Sequence, residues 1–147
     1  MHSTDGHGSE VAGDAGRRGH GVGERHRLLG ILAEDEPSPV TPADKAKGTP
    51  AVYGDTEAQA MSVITKIEEI LKAEGLTLGD IVQMECFVAG DPAKGGKMDF
   101  AGLNKAYDKF FGTADQPKKP VRAAMQVAAL ATDWGLVEIM VVAVKGK

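Results

Sequence analysis

KPVRAAMQVAAL (119–130) and GLVEIMVVAV (135–144) hold two apolar, β-rich runs, residues 121–130 and 136–144, and each run carries one charge that breaks its pattern. Arg122 stands in the first and Glu138 in the second. A permanent cation or a carboxylate costs several kcal/mol to bury unpaired, so otherwise aliphatic segments keep such groups for a reason. A binding site supplies that reason. The runs predict the closing strands of a sheet, and residues 132–135 between them are short enough for an antiparallel hairpin. Trp134, in that turn, reads as a packing cover.

Working upstream, residues 55–75 predict a helix. Asp55 or Thr56 offers an N-cap, Thr56 and Gln59 have the capping-box spacing, and Ala60, Val63, Ile64, Ile67, Ile70 and Leu71 form one apolar stripe ended by Gly75. Residues 81–89 are rich in β-formers and predict a strand buried largely on both faces. Asp99 caps a second helix whose stripe is Phe100, Leu103, Tyr107, Phe110 and Phe111, ended by Gly112. The order after Gly54 is helix, strand, helix, strand, strand. This gives a βαβ crossover and an α+β layer with both helices on one face of a mixed sheet. The other face keeps aliphatic residues that nothing in the chain covers, and self-association is the simplest remedy.

Composition narrows the function. A chain of 147 residues suits one domain with a real core. A net charge of -4 lacks the clustered Lys and Arg excess of a nucleic-acid binder. Cys86 is the single cysteine, so no intrachain disulfide forms, and its apolar strand setting reads as a packed thiol. The glycine-rich GDPAKGGK (90–97) fails the phosphate-loop pattern because Met98 stands where a hydroxyl residue is needed. No apolar run in the first half has the length of a signal or membrane segment, so a cytoplasmic protein without membrane partners is expected. Residues 1–38 hold all four histidines, His2, His7, His20 and His26, without apolar periodicity or metal-ligand spacing. They read as an atypical, flexible segment ahead of a domain spanning 39–147.

From about Pro39 to Lys147 the chain resembles the RidA/YjgF family. The resemblance is carried in order by GDTEAQ, GLTLGDIVQMECFV, DFAGLNKAYDKFFG, Pro120-Val121-Arg122 and Val137-Glu138-Ile139. GDPAKGGKMDF resembles the longer loop of one subgroup. The resemblance implies a chorismate-mutase-like α+β domain, a homotrimer with clefts between subunits, and hydrolysis of small 2-imino acids to 2-keto acids and ammonia. It implies that Arg122 grips the substrate carboxylate, that Glu138 helps position water, and that Asn104 lies near the cleft. No metal or cofactor is implied, since an imine is already an electrophile. A guanidinium can hold a carboxylate through two parallel charge-assisted hydrogen bonds, and a carboxylate near the imine carbon can act on water.

The chain departs from the family in two places. The opening strand motifs, Gly-Pro-Tyr-Ser-like and Ser-Gly-Gln, are absent from residues 1–38, so the first strands are expected to be replaced or missing. Aperiodic Gly/Arg/His/Asp-rich text beside a patterned domain looks like out-of-frame translation upstream of about Pro39. Ala124 and Met140 stand where the family commonly has Ser or Cys and a second acid. These losses favour an alternative, a non-catalytic member that binds carboxylated metabolites or protein partners in the same cleft. The hairpin reading also sets Arg122 about 17–23 Å along the strand from Glu138, at ~3.3 Å per residue. One substrate touching both then needs two subunits.

Overall fold

The computed structural model describes residues 28–29, 39, 43, 46–48 and 52–144. Helix α1 (Thr56–Ala73) begins where the Asp55 carboxylate accepts the backbone N–H of Ala58 at 2.9 Å. Asp55 is therefore the N-cap, and the expected Thr56–Gln59 box does not form. Gln59 is drawn instead into the core, 1 % exposed, where its amide bonds three backbone groups, of Gly54, Trp134 and Leu136. The helix closes as its periodicity predicts. Leu76 N–H donates to the Leu71 carbonyl at 2.8 Å and Gly75 N–H to that of Lys72 at 3.0 Å, a pairing that needs Gly75 at φ 72°.

A one-turn 3-10 helix (Leu78–Asp80) leads into β2 (Ile81–Ala89), and another (Pro92–Lys94) follows it. Helix α2 (Phe100–Asp108) starts at Asp99, whose carboxylate accepts the Gly102 N–H at 3.0 Å. Strands β3 (Val121–Val127) and β4 (Val137–Val144) complete the domain, and β1 (Leu28–Leu29) pairs with the end of β4 at Val144 and Ala143. The expectations for residues 1–38 otherwise lie outside the described residues. Beyond Ala143 and Val144, no described strand pairs with the outer edge of β4.

The sheet order is β1-β4-β2-β3. β2 and β3 run parallel from Gln83↔Val121 to Ala89↔Val127, joined by α2, so the crossover is as expected. The hairpin is not. β4 crosses the end of β2 and pairs antiparallel with its far side, from Val88↔Val137 to Ile81↔Ala143. The connection is longer than the 132–135 turn suggested, because β3 stops at Val127 and β4 starts at Val137. β4 also has the more continuous apolar register, with Val137, Ile139, Val141 and Ala143 all buried, which suits an interior position. β3, with Val121 78 % exposed, takes the edge.

One face of the sheet packs on the helices. Met84, Cys86 and Val88 of β2 meet the α1 stripe together with Leu103, Ala106, Tyr107 and Phe111. The opposite face carries Glu85, Phe87, Ala123, Met125, Glu138, Met140 and Val142, and no described element covers it. β2 is accordingly buried on its helix face and half-buried on the other, a correction to the two-sided burial expected from its composition. The GDPAKGGK loop is a built turn. Asp91 caps it at Ala93, Asp91 bridges Lys97, and the Gln126 amide accepts from Met98 N–H at 2.9 Å while donating to the Gly96 carbonyl at 3.0 Å.

Candidate functional site

Arg122 is the register partner of Met84 and therefore points to the helix side of edge strand β3. There it meets α2. Its Nη2 donates to Asn104 Oδ1 at 2.8 Å, and its Cζ lies 4.2 Å from the Tyr107 ring centroid and 5.9 Å from that of Phe100. Asn104 and Tyr107 are three residues apart, so one face of α2 delivers both amide and ring to the cation. Phe100, expected in the core stripe, is 44 % exposed; it opens the first turn of α2, where the guanidinium lies over its ring. Arg122 Nη1 is buried and has no hydrogen-bond partner among the described residues. An ionised donor left unpaired costs more than a neutral one, and its acceptor can be a carbonyl, a water or a carboxylate.

Cys86 pairs in register with Ala124, on the same sheet face as Arg122. Burial pushes its thiol up to about 11, and the nearby Arg122 charge offsets only part of this. Burial also raises the Tyr107 phenol above its ordinary value, again against the pull of Arg122. Cys86 is thus a neutral, packed thiol. A chromogenic disulfide reagent at pH 8 is expected to leave it untouched in the folded protein and to titrate it fully on unfolding. Between pH 9 and 11 the unfolded chain's thiol ionises first, so Cys86 makes stability fall as pH rises.

Glu138 lies elsewhere. It pairs with Phe87 on the bare face, half-buried, while Arg122 faces the helices with β2 between them. Arg122 and Asn104 are brought together; Glu138 is not brought to them. The separation expected from a hairpin is therefore replaced by a stronger one, opposite faces of one sheet. Sequence reasoning placed Tyr107 only in the core stripe, where the position-104 to position-107 spacing was the available signal for its second contact. A depression of about 520 Å³ opens at the other end of β3, between Gly90, Gly96, Gln126, Ala129, Thr132 and Leu136, and none of the three predicted site residues lines it. Among the described residues no three His, Cys, Asp or Glu side chains converge as metal ligands, and no helix is long and apolar enough to cross a membrane.

Comparison with known proteins agrees with this architecture. Residues 38–145 match the endoribonuclease L-PSP family. The chain belongs to this family, the RidA/YjgF proteins. A RutC family protein of Haemophilus influenzae is 36% identical over 107 residues, 73% of each chain. A goat protein described as 2-iminobutanoate/2-iminopropanoate deaminase is 37% identical, over 70% of this chain and 66% of its own. Among solved structures, Escherichia coli TdcF with bound serine aligns with a TM-score of 0.57 at 28% identity, covering 86% of this chain and 91% of TdcF. The YjgF gene product of the same organism gives 0.55 at 29%, with the same coverage. As in those RidA/YjgF structures, two helices pack on a mixed sheet, so the fold class expected from the sequence holds.

Proposed function

We propose that this RidA/YjgF member hydrolyses small 2-imino acids, 2-iminobutanoate and 2-iminopropanoate among them, to 2-keto acids and ammonia in the cytoplasm. The observation that carries the reading is the Arg122 guanidinium, steadied by Asn104 and Tyr107 while Nη1 keeps unpaired donors. A substrate carboxylate satisfies those donors and fixes the imine carbon. Glu138 then orients water for attack and draws off its proton as the C–O bond forms and the C=N electron pair moves to nitrogen; the nitrogen takes that proton, and the C–N bond breaks as the new hydroxyl gives up its own proton, releasing ammonia. Proximity of this kind is worth several decades in rate even without strong acid–base help.

Arg122 and Glu138 occupy opposite faces, so each site takes Arg122 from one copy and Glu138 from another. A closed homotrimer supplies that arrangement and covers the bare face with its exposed Val121 and Met125. The test generates 2-iminobutanoate from threonine with a dehydratase and follows trapping by semicarbazide. Accelerated loss of the imine is expected. An Arg122→Ala and a Glu138→Ala protein, each inactive, are expected to recover activity at a fraction of sites after subunit exchange. A monodisperse, fully active monomer would rule the shared site out. The absence of the family's opening strand motifs from residues 1–38 favours a second reading, carboxylate binding without turnover, and ligand binding with no change in the rate of imine loss would select it.

A further inference from the structure

Helix α2 sets two different restraints on the Arg122 guanidinium. Asn104 Oδ1 takes an N–H of Nη2 at 2.8 Å. Guanidinium N–H groups lie in the plane of the fork, so the amide fixes how the group is turned within that plane. Tyr107 acts across it. Arg122 Cζ sits 4.2 Å over the Tyr107 ring centroid, against 5.9 Å for Phe100, so the Tyr107 ring closes one side of the cation. That ring is itself held. It is 6 % exposed and stacks on buried Phe111, with centroids 4.7 Å apart and planes 17° apart, so it cannot tilt away without displacing Phe111 from the core.

We propose that Tyr107 is a positioning residue that sets the specificity of the clamp: acting through Arg122, its ring makes the site select a planar carboxylate over a tetrahedral anion. The inference rests on the function proposed above. A carboxylate held by a guanidinium keeps both oxygens in the plane of the fork, so a ring against one side of that plane leaves the pair undisturbed. A sulfonate that places two oxygens in the plane must put either its third oxygen or its carbon on the ring side. The oxygen meets the negative face of the ring, and the carbon drives the alkyl chain into α2. Removing the ring leaves the charge in place but lets the guanidinium rock about its bond to Asn104. The fraction of molecules with the fork in the productive plane then falls, and the barrier against the tetrahedral group goes with it.

Butanoate and propanesulfonate carry the same propyl chain on the two head groups. By calorimetry the wild-type protein is expected to prefer butanoate, and equal affinity for both overturns the inference. Tyr107→Leu is expected to weaken butanoate about 2- to 30-fold, the change that matches loss of one cation–π contact, and to weaken propanesulfonate less, so that the preference narrows. Tyr107→Phe keeps the ring and is expected to keep the preference. An unchanged preference in Tyr107→Leu overturns the inference, and so does a Phe variant that behaves like Leu, which would assign the effect to the hydroxyl. The ring contact also has a signature that needs no substitution of Tyr107. In wild-type protein carrying isotope-labelled arginine, the Arg122 Nε–H resonance, identified by its loss in Arg122→Ala, is expected upfield of the free-arginine position, shielded by the ring face beneath it. A resonance at the free-arginine position overturns the inference even where the Leu variant fails to fold. If instead Arg122→Ala leaves butanoate binding intact while that upfield shift is present, it is the proposed function that fails.

Discussion

Arg122→Ala is expected to abolish imine hydrolysis and to weaken carboxylate binding by about one to two decades, the worth of a hydrogen bond to a charged group at about 1.5–3 kcal/mol. The loss is larger where the assembled site excludes water. Calorimetry with butanoate measures it directly, and unaltered binding would remove Arg122 from the site. Arg122→Lys tests the geometry more finely. Lysine keeps the charge but not the planar fork, so it cannot hold Asn104 Oδ1 and a carboxylate together while stacking on Tyr107. Most of the alanine defect is expected to persist. Stability responds less, since a cation–π contact contributes about 0.5–2 kcal/mol and the variant also relieves the unpaired Nη1.

The largest expected effect on stability belongs to Gln59→Ala. The Gln59 amide accepts from Leu136 N–H at 2.7 Å and donates to the carbonyls of Trp134 and Gly54 at 3.0 and 3.2 Å. It thereby ties the start of α1 to the chain just before β4. The Tyr53 ring stacks on Trp134 at 3.5 Å across the same junction. Alanine leaves three part-buried backbone groups without their partner and opens a cavity where the buried Gln59 side chain stood, together on the order of 2–4 kcal/mol. The midpoint of thermal unfolding is expected to fall by about 10 °C or more. A change within a degree would show that the loop finds other partners.

The helices, their caps and the βαβ crossover were legible because each is written in local periodicity. The 3.6-residue stripes of α1 and α2 and the run of β-formers in β2 required no knowledge of distant residues. The hairpin was misread for the opposite reason. Which strand β4 joins is decided by competition between β2 and β3 for its edge, and two apolar runs joined by a short-looking turn do not record the outcome. Face assignment followed the same logic. Residues 122 and 138 can be placed on opposite faces only once Met84 and Phe87 are known as their partners. Asn104 was singled out only by family resemblance, as a residue near the cleft, since by residue pattern alone an Asn on a helix reads as a surface residue; its bond to Arg122 was not expected.

The strand order has a consequence for biosynthesis. β4 is the last element of the domain to leave the ribosome, yet it lies between β1 and β2. Until residues 137–144 emerge, β2 shows an unpaired apolar edge, and α1 lacks Val137, Ile139, Val141 and Ala143 as its floor. The nascent polypeptide therefore waits as an open half-sheet, the kind of surface that chaperones hold, and its cooperative collapse comes only once β4 has emerged. A premature stop or a protease cut before β4 yields no smaller folded core.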